Sequence, residues 1–263
     1  MKKSENEYNG NIDDETGFSL TRRSMLGALG ASATVGLAGC SGVTEQSFTA
    51  PWVGMTGETF TLADQGPRPV TLKNDETASI VETRDAGPLG ELKATLNMKA
   101  TSYNWQLEDE YPATVGCVSI PIPILGGTDF AGPLDDPLVS LVSGEWGLEL
   151  FNRMQFTDEP VDSVNYVRQG FEGSSDGAGH PDFTPLLDYK VFTATATMND
   201  ESTEEYWIGL LRYRTKTEVL PDGTDDSYVF LGLGTLAENV DSFGYSPGFG
   251  EGIVDDFGII DEP

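Results

Sequence analysis

The sequence predicts an α+β fold in which helices pack on one face of an antiparallel β-sheet. Three observations carry this. Residues alternate between two kinds along Leu92 to Trp105 and again along Leu187 to Met198, the period of a strand with one drier and one wetter face. Between Pro133 and Phe156 the apolar period becomes helical. The order of segments is strands, then helix, then an antiparallel meander, then a short closing helix, which suits helices gathered on one face of such a sheet.

Along the chain, Phe48 to Val81 mixes Thr, Val and Phe with Gly54, Gly57, Gly66, Pro67 and Pro69, and reads as short strands joined by turns. In the next strand Ala94, Leu96, Met98, Ala100, Ser102 and Asn104 form the small or apolar side. Lys93, Thr95, Asn97, Lys99, Thr101, Tyr103 and Trp105 form the wetter one. Thr114 to Leu125 is more apolar, and Pro121 and Pro123 confine its second half to an edge or to irregular chain. Leu138, Leu141, Val142, Trp146, Leu148, Glu149, Phe151, Asn152 and Met154 give one or two helical segments, interrupted near Gly144 and Gly147. Val161 to Phe171 is a further strand, and Glu172 to Pro185 is a loop of Gly, Ser and Asp. Leu187 to Met198 sets Val191, Thr193, Thr195 and Thr197 against Phe192, Ala194 and Ala196, and pairs with Glu205 to Thr217 across the turn Asn199 to Ser202. Pro221-Asp222-Gly223 turns the chain into a strand from Tyr228 to Leu233, and Thr235 to Phe243 reads as the closing helix.

The ends of the chain carry different signals. Arg22 and Arg23 precede a weakly apolar run, Met25 to Gly39, rich in Gly and Ala and only 15 residues long. A bilayer-spanning helix needs about 20 strongly apolar residues, so this run does not span. It ends in Leu37-Ala38-Gly39-Cys40. Paired arginines, low hydrophobicity and a small-residue motif before cysteine read as a twin-arginine export signal over residues 1–39, with Cys40 as the lipidation site. Residues 40–47 then serve as a linker reaching ~25 Å at ~3.3 Å per residue. Residues 48–243 form a single domain, and the acidic, Gly-rich tail 244–263 reads as disordered or loosely docked.

The chain carries 15 basic and 43 acidic residues, a net charge of −28. Residues 1–39 hold four of the bases and five of the acids, so the exported part carries −27. The acids are dispersed, as a surface hydrated in molar salt requires, and at ~1 M the Debye length of ~3 Å suppresses their mutual repulsion. An acidic calcium-binding surface is the alternative reading. No basic stripe exists to meet the phosphate backbone of nucleic acid. With Cys40 lipidated, Cys117 has no partner for a disulfide within the chain, and its setting in Val115 to Ile120 reads as a buried, inert thiol.

Several motifs resemble sites. Gly173-Ser174-Ser175-Asp176-Gly177 matches a nucleophile elbow, but Ala178-Gly179-His180-Pro181 is a poor start for the helix that must follow the serine. Gly232-Leu233-Gly234-Thr235-Leu236-Ala237 approaches a dinucleotide fingerprint, yet the chain beyond has no room for the acidic parallel strand that fingerprint needs. Close packing at the glycines of a strand-to-helix turn explains them better. Asp176, His180 and Asp182 are the candidate metal ligands, since carboxylates suit hard cations and imidazole suits transition metals, although the spacing matches no standard site. Asp222-Gly223-Thr224-Asp225-Asp226 lacks the length and terminal Glu of a calcium loop. No catalytic residue and no cofactor are assigned, with calcium as the one candidate ion.

Arg22-Arg23, Leu37 to Cys40 and the acidic, meander-rich mature part together resemble haloarchaeal twin-arginine-exported lipoproteins, which implies export and anchoring and adds no activity. From about Thr114 to Phe243 the element order is similar to PsbP-like domains. The sequence therefore points to a lipid-anchored protein on the outer face of the cell membrane, a non-catalytic module binding an envelope protein or a solute. The alternative is an extracellular enzyme working through carboxylates or calcium. A smooth sheet face with exposed aromatics, for which Tyr103, Trp105, Trp207 and Tyr213 are candidates, favours the first, and a deep acid-lined cleft favours the second.

Overall fold

Pairing along the two alternating segments builds most of the protein. The computed structural model describes residues 43–62, 66–85, 91–107, 111–125, 128–129, 134, 136–169, 180–243 and 253–263, all within one compact unit. The strands are β1 (Val43–Thr49), β2 (Trp52–Met55), β3 (Thr59–Leu62), β4 (Gly66–Pro69), β5 (Thr71–Asp85), β6 (Glu91–Leu107), β7 (Tyr111–Pro121), β8 (Ile124–Leu125), β9 (Thr128–Asp129), β10 (Ser163–Arg168), β11 (Phe183–Thr197), β12 (Thr203–Thr215), β13 (Ser227–Leu236) and β14 (Phe257–Ile260). The helices are α1 (Leu138–Ser143), α2 (Glu145–Arg153) and α3 (Ala237–Phe243).

Eight strands form one large sheet. β6 is its long member. Residues 91–97 of β6 pair with β1 and β5 together, and residues 99–104 with β5 and β7 together. Hence β5 holds one edge of β6, while β1 and β7 share the other, end to end. From β7 the sheet continues through β13, β12 and β11 to β10. The β1–β6 pairing is parallel and the others antiparallel, so the sheet is mixed.

Both faces of the central strands are buried, which is why β7 and β13 read as nearly continuous apolar runs. On one face Met98, Ala100, Val118, Ile120, Phe192, Ala194, Ile208, Leu210 and Phe230 meet α1, α2 and the chain after them through Leu138, Leu141, Trp146, Leu150, Phe151, Met154 and Phe156. On the other, Tyr103, Trp105, Val115, Cys117, Val191, Leu211, Tyr213, Val229, Leu231 and Leu233 are covered by Val53 and Met55 of β2, Phe60 of β3 and Phe257 of β14. The chain before α1 is fastened by Arg212 of β12, whose Nη1 donates to Leu134 O and, at 2.8 Å, to Asp136 O.

The expected α+β class does not hold. The described chain is dominated by strand, and its three helices have six, nine and seven residues. The helical period after Pro133 is genuine but brief, because Gly144 divides it into α1 and α2; the second interruption expected near Gly147 does not occur, since Gly147 lies within α2. The second face, read as wet, is instead covered by a further layer of strands. The segment 48–81 also holds more than short strands. β5 is one strand of 15 residues, hidden from period-two analysis because it is a polar edge strand, with Leu72 and Val81 exposed.

Two boundaries move as well. The linker assigned to 40–47 enters the sheet at Val43, and the tail assigned to 244–263 ends in β14, which pairs with β2 and buries Phe257. Residues 244–252 lie outside the described residues. Apolar residues in that tail are interrupted by Gly, Pro and acids and form no run long enough to register as a strand without the partner that completes it.

Candidate functional site

The proposed metal ligands are already engaged. His180 is buried and stacks on Phe183, with ring centroids 4.6 Å apart and 10° between planes. Its Nδ1 accepts from the Asp182 backbone N–H at 3.1 Å, which leaves Nε2 as the N–H that donates to Phe257 O at 3.0 Å. Asp182 Oδ2 accepts from Ile259 N at 2.9 Å, and Lys216 Nζ donates to His180 O at 2.6 Å. The pair therefore clasps β14 onto the domain. Asp176 and the elbow Gly173 to Gly177 lie outside the described residues, as do Arg22, Arg23 and Cys40. Among the described residues no three His, Cys, Asp or Glu side chains gather as a metal group. Asp225 and Asp226 are likewise bound locally, Asp225 Oδ2 accepting from Thr49 N at 2.7 Å and Asp226 meeting Arg214 at 3.1 Å.

Gly232 and Gly234 do not open a helix. They sit inside β13, opposite Gly116 and Thr114 of β7. A Cβ at Gly232 would lie 2.5 Å from Met154 Sδ, and one at Gly234 would lie 2.5 Å from the Phe156 ring. The glycines leave a trough in the sheet that receives the turn after α2, where Gln155 has φ +51°. Their chemistry is packing. Cys117 is buried, and burial pushes its thiol well above the ordinary range, as expected of an inert cysteine.

The four aromatic candidates divide. Tyr103, Trp105 and Tyr213 lie in the core under β2, β3 and β14, whereas Trp207 is only partly buried, at the border of that cluster. Beyond Trp207 this face of the sheet opens. Register places three rows side by side across β10, β11 and β12: Ser163, Thr197 and Thr203; Asn165, Thr195 and Glu205; Val167, Thr193 and Trp207. Ser163, Asn165, Val167, Thr203 and Glu205 are exposed, and the three threonines of β11 are half-buried. Strands ~4.8 Å apart and rows ~6.8 Å apart make a platform of about 10 by 14 Å.

Local interactions steady it. Gln169 Nε2 donates to Thr193 Oγ1 at 2.7 Å. Trp207 is followed across the ladder by Thr235, which donates to Pro112 O at 2.7 Å and accepts from Asn239 of α3 at 3.0 Å. At the far turn the Asp200 carboxylate accepts from the Ser202 hydroxyl and backbone N–H, which holds it below the ordinary carboxyl range. The three rows contain one carboxylate, Glu205, and no cation. They present hydroxyls, one amide and one indole ring. Thr193, Thr195 and Thr197 were legible as one side of a strand, but the rows they share with β10 and β12 come only from the pairing.

No protein-family model matches the chain, and neither a curated protein nor a solved structure matches it significantly.

Proposed function

We propose that the chain is a lipoprotein exported through the twin-arginine route, held on the outer face of the cell membrane by a lipid on Cys40, with a non-catalytic mature domain that binds a partner or solute. The open platform around Trp207 carries the binding half of this reading. Its donors and acceptors, with no cation among them, suit a neutral, hydroxyl- or amide-bearing surface better than an anionic one. The exposed Val167 and the partly buried Trp207 put apolar surface beside these hydroxyls, a combination that suits one ligand with both apolar and hydrogen-bonding groups. The export half rests on Arg22, Arg23 and Leu37 to Cys40.

The test is capture of envelope material by the immobilised mature domain in high salt, with W207A and T195K beside the wild type and E218Q as a control away from the platform. Material retained by wild type and E218Q but lost from W207A and T195K identifies the platform as the binding face. Equal retention by all four sinks the assignment.

A further inference from the structure

We infer that the domain stands on the bilayer at the end of the sheet marked by Val43 and Glu91, with the Trp207 platform turned away from the lipid. This rests on the anchoring reading above and adds an orientation to it. Val43 is the first residue of β1 and pairs with Glu91 at the start of β6. Only Ser41 and Gly42 separate it from Cys40, so three Cα steps of 3.8 Å hold the sheet within about 11 Å of the lipidated residue.

β1 pairs with β6 alone, in line with β7, and is fastened at its far end, which limits how far it can peel off to lengthen that tether. Phe48 is buried, Asn97 Nδ2 donates to Ser47 Oγ at 2.8 Å, and Thr49 N donates to Asp225 Oδ2 at 2.7 Å while Asp225 N donates back to Thr49 O at 2.8 Å. The 17 residues of β6 span about 55 Å at ~3.4 Å per residue, five times the tether.

The ladder then places the platform. The row of Trp207 continues to Thr235, one residue past Gly234, which pairs with Thr114, which pairs with Asn104 near the end of β6. The row of Trp207 is thus level with Trp105, two residues from the end of β6 opposite Glu91, the other two rows lie further out, and the platform sits at the opposite edge of the sheet from β5. A domain carrying −27 has no electrostatic reason to lie flat on anionic headgroups. Tether length, ladder register and charge favour one arrangement, with lipid under the β5–β6 end and the platform facing outward.

Fluorescence quenching on vesicles tests this with the full lipidated chain. Single labels go on T83C, near the Glu91 end, and on T203C, in the outermost platform row; the buried Cys117 thiol stays unlabelled in the native state. With a quencher on the lipid headgroups, the label at position 83 should be quenched several-fold more than the label at 203. A flexible Gly/Ser insert between Ser41 and Gly42 should erase most of that difference. Equal quenching at both positions in an anchored protein overturns the orientation alone. A protein that neither sediments with vesicles nor carries lipid mass on Cys40 overturns the anchoring and the orientation with it.

Discussion

Met154 touches two glycines in two different ways, and a pair of double-mutant cycles separates them. In G116A the new Cβ meets Met154 Cβ at 2.7 Å and Met154 Cα at 2.9 Å. Relief requires the backbone after α2 to move, so the cost belongs at the upper end of overpacking, about 3 kcal/mol. In G232A the new Cβ meets Met154 Sδ at 2.5 Å and Phe156 Cζ at 2.9 Å. The thioether is the mobile end of a flexible side chain, so the cost is smaller, about 1–2 kcal/mol. M154A alone empties a fully buried site and costs about 2–4 kcal/mol.

The combinations discriminate. M154A removes Sδ and Cγ but keeps Cα and Cβ, so it relieves the first contact of G232A and leaves the two shortest contacts of G116A in place. We expect a favourable coupling of about 1–2 kcal/mol for G232A with M154A, and one within about 0.5 kcal/mol of zero for G116A with M154A. Urea unfolding in molar KCl measures both cycles, since urea adds no ionic strength, and each kcal/mol moves the melting temperature of a domain this size by ~2–4 °C. Equal couplings in the two cycles, or G232A costing more than G116A, would refute the packing reading of the trough.

Four further outcomes are expected. H180A should cost about 2–3 kcal/mol by removing the hydrogen bond to Phe257 O and the stack on Phe183, and should speed amide exchange at Gly258 to Ile260 while β13 stays protected; unchanged exchange in β14 would rule out the clasp. Burial raises the Asp256 carboxyl above its ordinary range, outweighing the N–H of Thr61, so the native state holds that proton more tightly than the unfolded chain. Its contribution is therefore complete below the ordinary carboxyl range and lost as pH rises through the raised value, and stability relative to D256N should fall towards neutral pH; a flat difference contradicts this. Stability should rise steeply between 0.1 M and 1 M salt as the Debye length drops from ~10 to ~3 Å, and a melting temperature independent of salt would assign the acid excess to something local. R22K/R23K should leave uncleaved precursor inside the cell and C40S should release the domain or block cleavage; normal surface levels of either variant in cell fractionation would count against the signal.

Features that depend only on neighbours along the chain could be read from the residues alone. The periods of β6 and β11, the break at Gly144, the turns at Asn199 to Ser202 and Pro221 to Gly223, and the inert surroundings of Cys117 were all legible, because alternation and turn chemistry are local properties. Tertiary structure decided which faces are covered. Thr101, Tyr103 and Trp105 continue the pattern of Lys93, Asn97 and Lys99 without a break, yet they are buried because β2, β3 and β14 arrive from distant parts of the chain to lie over them. The same covering layer stops short of Thr193, Thr195 and Thr197, which leaves the platform open. Nothing in a strand's own residues records whether a second layer will reach it. Likewise His180 and Asp182 read as ligands until Phe257 and Ile259, more than seventy residues later, occupied their hydrogen bonds. Period reports the burial a strand is prepared for, and only the packing of remote segments determines how much of it is realised.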